Sequence, residues 1–216
     1  MYEFLSGPGL RIAFTLFFGG IAIRATSLYQ LSRIKDKVVY NHINWGWGLK
    51  SIFCWMVPWV SASTRRQPVF AFMVFLFHIC LIVTPLFLNA HNILWDENLN
   101  LKLWSIPNWL ADMLTVVLIF SGILLLVRRF VRPEVRILTG FWDYALLGMT
   151  ILPFLTGFLA YHQWGHYETA LILHMLSGEL LLVMIPFTKL GHAFLFFFTR
   201  VFIGFEMGGR RGARSW

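Results

Sequence analysis

Five apolar stretches, at residues 10–29, 68–89, 109–127, 137–161 and 169–202, are each long enough to cross a bilayer. As helices they match a hydrocarbon core of about 30 Å. Lipid offers no partner to backbone N–H and C=O groups, so stretches of this length predict an all-α, five-transmembrane-helix bundle. The balance of residues agrees, since 58% are hydrophobic and only 13% are charged, which leaves little for a soluble domain. The last stretch is long enough to tilt or to project beyond the bilayer.

The loops set the expected orientation. Arg33, Lys35, Lys37, Lys50, Arg65 and Arg66 lie between the first two stretches, Arg128, Arg129, Arg132 and Arg136 between the third and fourth, and Arg200, Arg210, Arg211 and Arg214 at the end. Of the segments on the opposite side, 90–108 and 162–168, the only Lys or Arg is Lys102. Positive charge collects inside, so the amino terminus is expected outside and the carboxyl terminus in the cytoplasm. Clusters confined to loops argue against nucleic acid as the partner of the net +8 charge and for the lipid bilayer. Met1 is followed by Glu3 and no basic region, so no cleaved signal peptide is expected. Residues 1–204 form the expected membrane domain and 205–216 a cytoplasmic tail that is flexible on its own. The connection 43–60, with four tryptophans, predicts an interfacial helix. Cys54 and Cys80 suggest neither a disulfide nor a cluster site.

Four histidines carry the chemistry. His174 and His192 are 18 residues apart, five whole turns of one helix, so both leave it on one face. His78 and His91 flank the second stretch; their 13-residue interval is about 220° of helix, which requires a kink at Pro85 or a helix end before His91. With the second and fifth stretches antiparallel, depth pairs His78 with His192 toward the inside and His91 with His174 toward the outside. A buried imidazole is ordinarily a side chain bonded to a neighbouring helix. Four at matched depths predict two bis-histidine b haems, with His78, His91, His174 and His192 binding the haem iron. Such an iron has no open position, so the expected role is electron transfer.

Other titratable groups are less specific. His162 and His166 could bind zinc, yet His162-Gln163-Trp164-Gly165-His166 lacks a metalloprotease glutamate and reads as a solvated loop, or as a proton-transfer site beside a quinone. Lys102, His162, His166 and Glu168 are the titratable groups on the outer side and form the candidate quinone site. Arg24, Asp112, Asp143 and Glu179 lie in or near apolar stretches, where function and interhelical bonding are equally plausible readings.

Phe77-His78-Ile79, Gly122-Ile-Leu-Leu-Leu-Val-Arg-Arg with Pro133-Glu-Val-Arg136, and Leu173-His174 followed by Pro186-Phe-Thr-Lys-Leu-Gly-His192 resemble the γ subunit of respiratory nitrate reductase, a five-span dihaem cytochrome b. The resemblance covers roughly residues 12–204. It implies two b haems on the four histidines, paired as depth pairs them, and a menaquinone-type quinol oxidised near the outer haem, with Lys102 near the position of a family lysine. It also implies a bacterial inner membrane location. The short tail looks more like relatives in redox complexes of sulfate-reducing bacteria, of the high-molecular-weight cytochrome type, whose partners are a cytoplasmic iron–sulfur protein and periplasmic multihaem cytochromes c. The expected function is that of an electron-transfer subunit within a larger oxidoreductase. The rivals are a haem-free membrane anchor and a small ion or proton transporter using Asp112, Glu179 and Arg24.

Overall fold

A computed structural model describes all 216 residues, and its regular structure is entirely helical. Eight longer helices organise it: α1 (Leu10–Lys35), α2 (Trp45–Met56), α3 (Pro68–Phe87), α4 (Asn89–Leu99), α5 (Asn108–Val131), α6 (Phe141–Tyr161), α7 (Tyr167–Phe187) and α8 (His192–Gly204). Six helical runs are long and apolar enough to cross a membrane: Tyr2–Lys35, Pro68–Phe87, Asn108–Val131, Phe141–Tyr161, Tyr167–Phe187 and Lys189–Arg210. Their outer surfaces are apolar, with Val69 81% and Phe120 63% exposed, which is an arrangement for lipid and not for water. The chain is a multi-pass helical membrane protein.

Two expectations are corrected here. The stretch 169–202 is not one helix, because it breaks at Thr188, whose backbone is extended (φ −123°, ψ −173°). Pro186, at the end of α7, lacks an N–H and cannot support the preceding turn. The Thr188 hydroxyl accepts from the Leu190 N–H at 3.2 Å and starts a new turn, Lys189–Gly191, that leads into α8. The break divides the last stretch into two of the six runs, and His174 and His192 do not share a face of one continuous helix. The second stretch also ends early, since Leu88 is extended (φ −68°, ψ 132°) and the chain restarts as α4. The tryptophan-rich connection does form a helix, α2, capped by the Asn44 side chain on the Trp47 N–H.

The helices belong to two compact units, residues 1–15 with 73–183 and residues 16–72 with 184–216. The first has its core where α3, α5 and α6 meet, around Phe77, Cys80, Leu118 and Leu147. Gly122 makes that packing close: a Cβ there would lie 2.6 Å from Ile151 Cδ1, so only glycine admits the α6 side chain.

In the second unit α8 crosses α2 at Gly48 and Gly204, where a Cβ on Gly204 would lie 2.7 Å from the Gly48 Cα. The chain after α8 continues as a wide helical turn, Phe205–Arg210, and then folds back. The Trp216 ring lies 5.7 Å from the Trp47 ring, and the Trp55 indole donates to the Ser215 carbonyl at 3.1 Å. The expectation of a tail flexible on its own is thus overturned: Gly208 brings its backbone against Trp47, where any side chain would collide. Removing Ser215 and Trp216 deletes two hydrogen bonds, to Trp55 and Ser51, together with the Trp47 ring pair and the Lys50 contact over the Trp216 ring. The expected loss is about 1–2 kcal/mol, read as a lower unfolding midpoint in detergent with increased solvent quenching of Trp47 fluorescence.

Candidate functional site

The last carbonyls of α3 lose their helical donors where Leu88 turns extended. Phe87 O takes the Ile106 N–H at 2.9 Å. Pro85 O takes the His91 side chain, whose Nδ1 donates at 2.9 Å. His91 is thus the third residue of a new helix, and the face mismatch between His78 and His91 does not arise.

His174, in α7, donates from Nδ1 to the Pro153 carbonyl of α6 at 2.7 Å. Gly157, one turn further along α6, opens the space for the ring, since a Cβ there would lie 2.8 Å from His174 Nδ1. A carbonyl can only accept, so Nδ1 carries the proton in both rings and the neutral ring keeps its lone pair on Nε2. Burial, reinforced by the neighbouring His174, pushes the His91 imidazole down to about 4 against the opposing hydrogen bond to Pro85, so it is neutral near pH 7.

The two rings are 5.7 Å apart between centroids and within 12° of parallel. Face-to-face contact would bring ring atoms to about 3.5–4 Å. Two imidazoles on one metal at about 2 Å each put their centroids about 6 Å apart. The centroid spacing of the pair is nearer to that of two imidazoles sharing a metal than to face-to-face contact. No cluster of three or more His, Cys, Asp or Glu side chains suits a bare ion, whereas two imidazoles complete an iron whose other four ligands come from a porphyrin. Thr84 Oγ1 of α3 and Asn92 Oδ1 and Trp95 Nε1 of α4 are buried without hydrogen-bond partners, and Trp95 stands 5.9 Å from the His91 ring.

His78, in α3 of the first unit, donates from Nδ1 to Val74 O at 2.7 Å. His192, the first residue of α8 in the second unit, donates from Nδ1 to Lys189 O at 2.9 Å. All four histidines therefore hold the same tautomer, with the same nitrogen tied to the backbone.

The candidate quinone residues are less gathered. Lys102 is exposed on the non-helical segment before α5, His166 is exposed in the turn after α6, and Glu168 is exposed in the first turn of α7. None of these three bonds to another of the set. His162, expected in a solvated loop, instead caps α6 and is half-buried: it meets the Asp112 carboxylate of α5 at 3.1 Å and packs 4.3 Å from the Phe158 ring. Sequence reasoning named both residues without pairing them. Their only linear signal is that antiparallel α5 and α6 bring the start of one beside the end of the other.

The remaining ionisable residues divide by role. Asp143 accepts from the Gly140 N–H at 2.9 Å and caps α6. Arg24 donates from Nη1 to Pro186 O at 2.9 Å and Thr188 O at 2.7 Å, holding the two carbonyls exposed by the break after α7. Glu179 has a buried Oε1 without a partner and lies against Gly9, where a Cβ would be 3.1 Å from both carboxylate oxygens.

Fold and site define a multi-pass helical membrane protein with paired, backbone-tethered histidines. The chain belongs to one family with a protein of Nitratidesulfovibrio vulgaris strain Hildenborough, to which it is 40% identical over 219 residues, spanning 100% of this chain and 97% of that one. No established family profile and no solved structure matches it.

Proposed function

We propose that this protein is the cytochrome b subunit of a membrane-bound respiratory oxidoreductase, moving electrons between a menaquinone-type pool and iron–sulfur or cytochrome c partner subunits. The carrying observation is the His91–His174 pair: parallel rings 5.7 Å apart, each with Nδ1 fixed on a carbonyl. A haem bound there supplies a one-electron carrier whose iron has no open position for oxygen. The residues' work is to hold two neutral imidazoles side by side, each with Nδ1 on a carbonyl and the lone pair on Nε2. His78 in the first unit and His192 in the second hold the same tautomer. The haem reading thus rests on tethered ligands, which a haem-free anchor or an ion carrier has no need of.

Five crossings with the amino terminus outside suit the charges best. Lys189, Arg200 and Arg210 recur along the run Lys189–Arg210, with Arg211 directly after it, a pattern for the inner membrane surface and not for a sixth span. The bacterial inner membrane is the location that follows from this reading. Lys102, His166, Glu168 and the Asp112–His162 pair line the outer side, where quinol protons can leave to water.

Purified protein is expected to show reduced-minus-oxidised bands of b-type haem at two haems per chain. A quinol-analogue inhibitor is expected to shift the band of the haem at His174, with the shift weakened in Lys102→Ala. A chain purified from haem-replete cells without a b-type spectrum would falsify the reading. A response confined to the other haem would place the quinone elsewhere.

A further inference from the structure

Trp95 follows His91 by one turn of α4, so the two side chains share a face of that helix. The indole stands 5.9 Å from the His91 ring at 60° and packs T-shaped against the Phe14 ring at 5.4 Å, two contacts that fix its plane. Its Nε1 is buried and meets no acceptor of the chain. An indole N–H can only donate, and a buried donor without an acceptor costs about 1–3 kcal/mol. The ring is thus held where its polar edge is unsatisfied, beside an imidazole whose own Nδ1 is already tied to Pro85 O. All of these residues belong to the first compact unit.

The missing acceptor has to lie near His91. A haem held between the His91 and His174 rings brings acceptors of its own, since two propionate carboxylates leave one edge of the porphyrin. A carboxylate takes N–H donors in short, charge-assisted hydrogen bonds. A quinone carbonyl also accepts, but it belongs to a ligand that comes and goes, whereas a donor fixed beside a metal ligand suits a resident group. Asn92 Oδ1 can only accept and takes no part; the amide nitrogen of that residue anchors the segment before α5 at Trp104 O and Ser105 Oγ.

We propose that Trp95 Nε1–H donates to a propionate of the haem held by His91 and His174. The inference rests on the haem reading above and adds a residue that fixes the rotation of the plate about its iron. The hydrogen bond offsets part of the carboxylate's charge, and an electron added to the iron is repelled by the charge that remains. Trp95 therefore favours the reduced haem.

The test is a redox titration of the purified, quinone-extracted holoprotein, following the haem signal that His174→Ala removes. Trp95→Phe keeps an aromatic ring beside Phe14 and deletes the donor. It is expected to favour the ferric form of that haem about threefold, a downward shift of about 28 mV at 59 mV per tenfold for a one-electron couple. The propionate bending band of that haem in the resonance Raman spectrum should move as well. Its low-spin electron paramagnetic resonance should stay in place, because the imidazole planes set that signal. Trp95→Tyr, whose ring also ends in a donor, is expected to recover part of both shifts. If His174→Ala removes no haem, the cytochrome reading fails. If it removes one haem while Trp95→Phe leaves the potential and the bending band unchanged, the cytochrome reading stands and the indole donor is wrong. A shift present only before quinone extraction overturns the proposal in favour of a quinone carbonyl. An altered resonance with an unchanged bending band overturns it in favour of packing against His91.

Discussion

His174→Ala protein is expected to carry one b haem where two are expected in the unsubstituted protein. His174 is held by a single hydrogen bond to Pro153 O at 2.7 Å and faces a ring 5.7 Å away, so no second side chain is placed to replace it. Without His174, His91 faces no second imidazole. A milder version removes no ligand. In Gly157→Val the new Cβ would lie 2.8 Å from His174 Nδ1, and the imidazole must leave the Pro153 carbonyl. Its band is expected to shift or vanish while the haem at His192 is retained. Pyridine haemochrome content and low-temperature difference spectra measure both outcomes. Full haem content with an unchanged spectrum in His174→Ala would remove the central observation behind the proposed function.

Arg24→Leu is expected to be the most destabilising single substitution in the second unit. The break after α7 exposes the carbonyls of Pro186 and Thr188, and Arg24 Nη1 serves both, at 2.9 and 2.7 Å. Pro186 O is then left bare at about 1–3 kcal/mol, while Thr188 O keeps the Gly191 N–H at 3.2 Å and loses one of two donors, so the total is about 2–4 kcal/mol. Arg24→Lys should recover about half, because an ammonium can reach one carbonyl without matching the two-bond geometry. Neighbouring positions make the clamp specific. A Cβ on Gly191 would lie 2.8 Å from Arg24 Nη1, and one on Gly20 would lie 2.7 Å from Pro186 Cβ, so Gly191→Ala and Gly20→Ala should each weaken it less severely. Unfolding of purified protein in mixed micelles of increasing sodium dodecyl sulfate orders the series. A midpoint for Arg24→Leu equal to that of the unsubstituted protein would mean that the break supports itself.

Apolar run length was enough to read off helices, lipid exposure and a multi-pass chain, because a bilayer imposes one length and one polarity on any segment that crosses it. The four histidines and the tryptophan-rich helix were legible for the same local reason. Helix breaks were less so. Pro186 signalled a disturbance, but whether it kinks a helix or ends it depended on Thr188 finding Leu190 and on Arg24, 162 residues from Pro186, satisfying the freed carbonyls. The 18-residue interval between His174 and His192 therefore carried no facing information, since it assumed a continuous helix. His91 was legible as a histidine just past the second apolar stretch and illegible as a partner of Pro85 O, which exists only because Leu88 turns extended. Gly157 beside His174, Asp112 beside His162 and Ser215 under Trp55 have no trace in any periodicity. Periodicity records which residues share one helix face. Close approach, tautomer and the fate of an unpaired carbonyl belong to the neighbouring helix, and only tertiary packing supplies that neighbour.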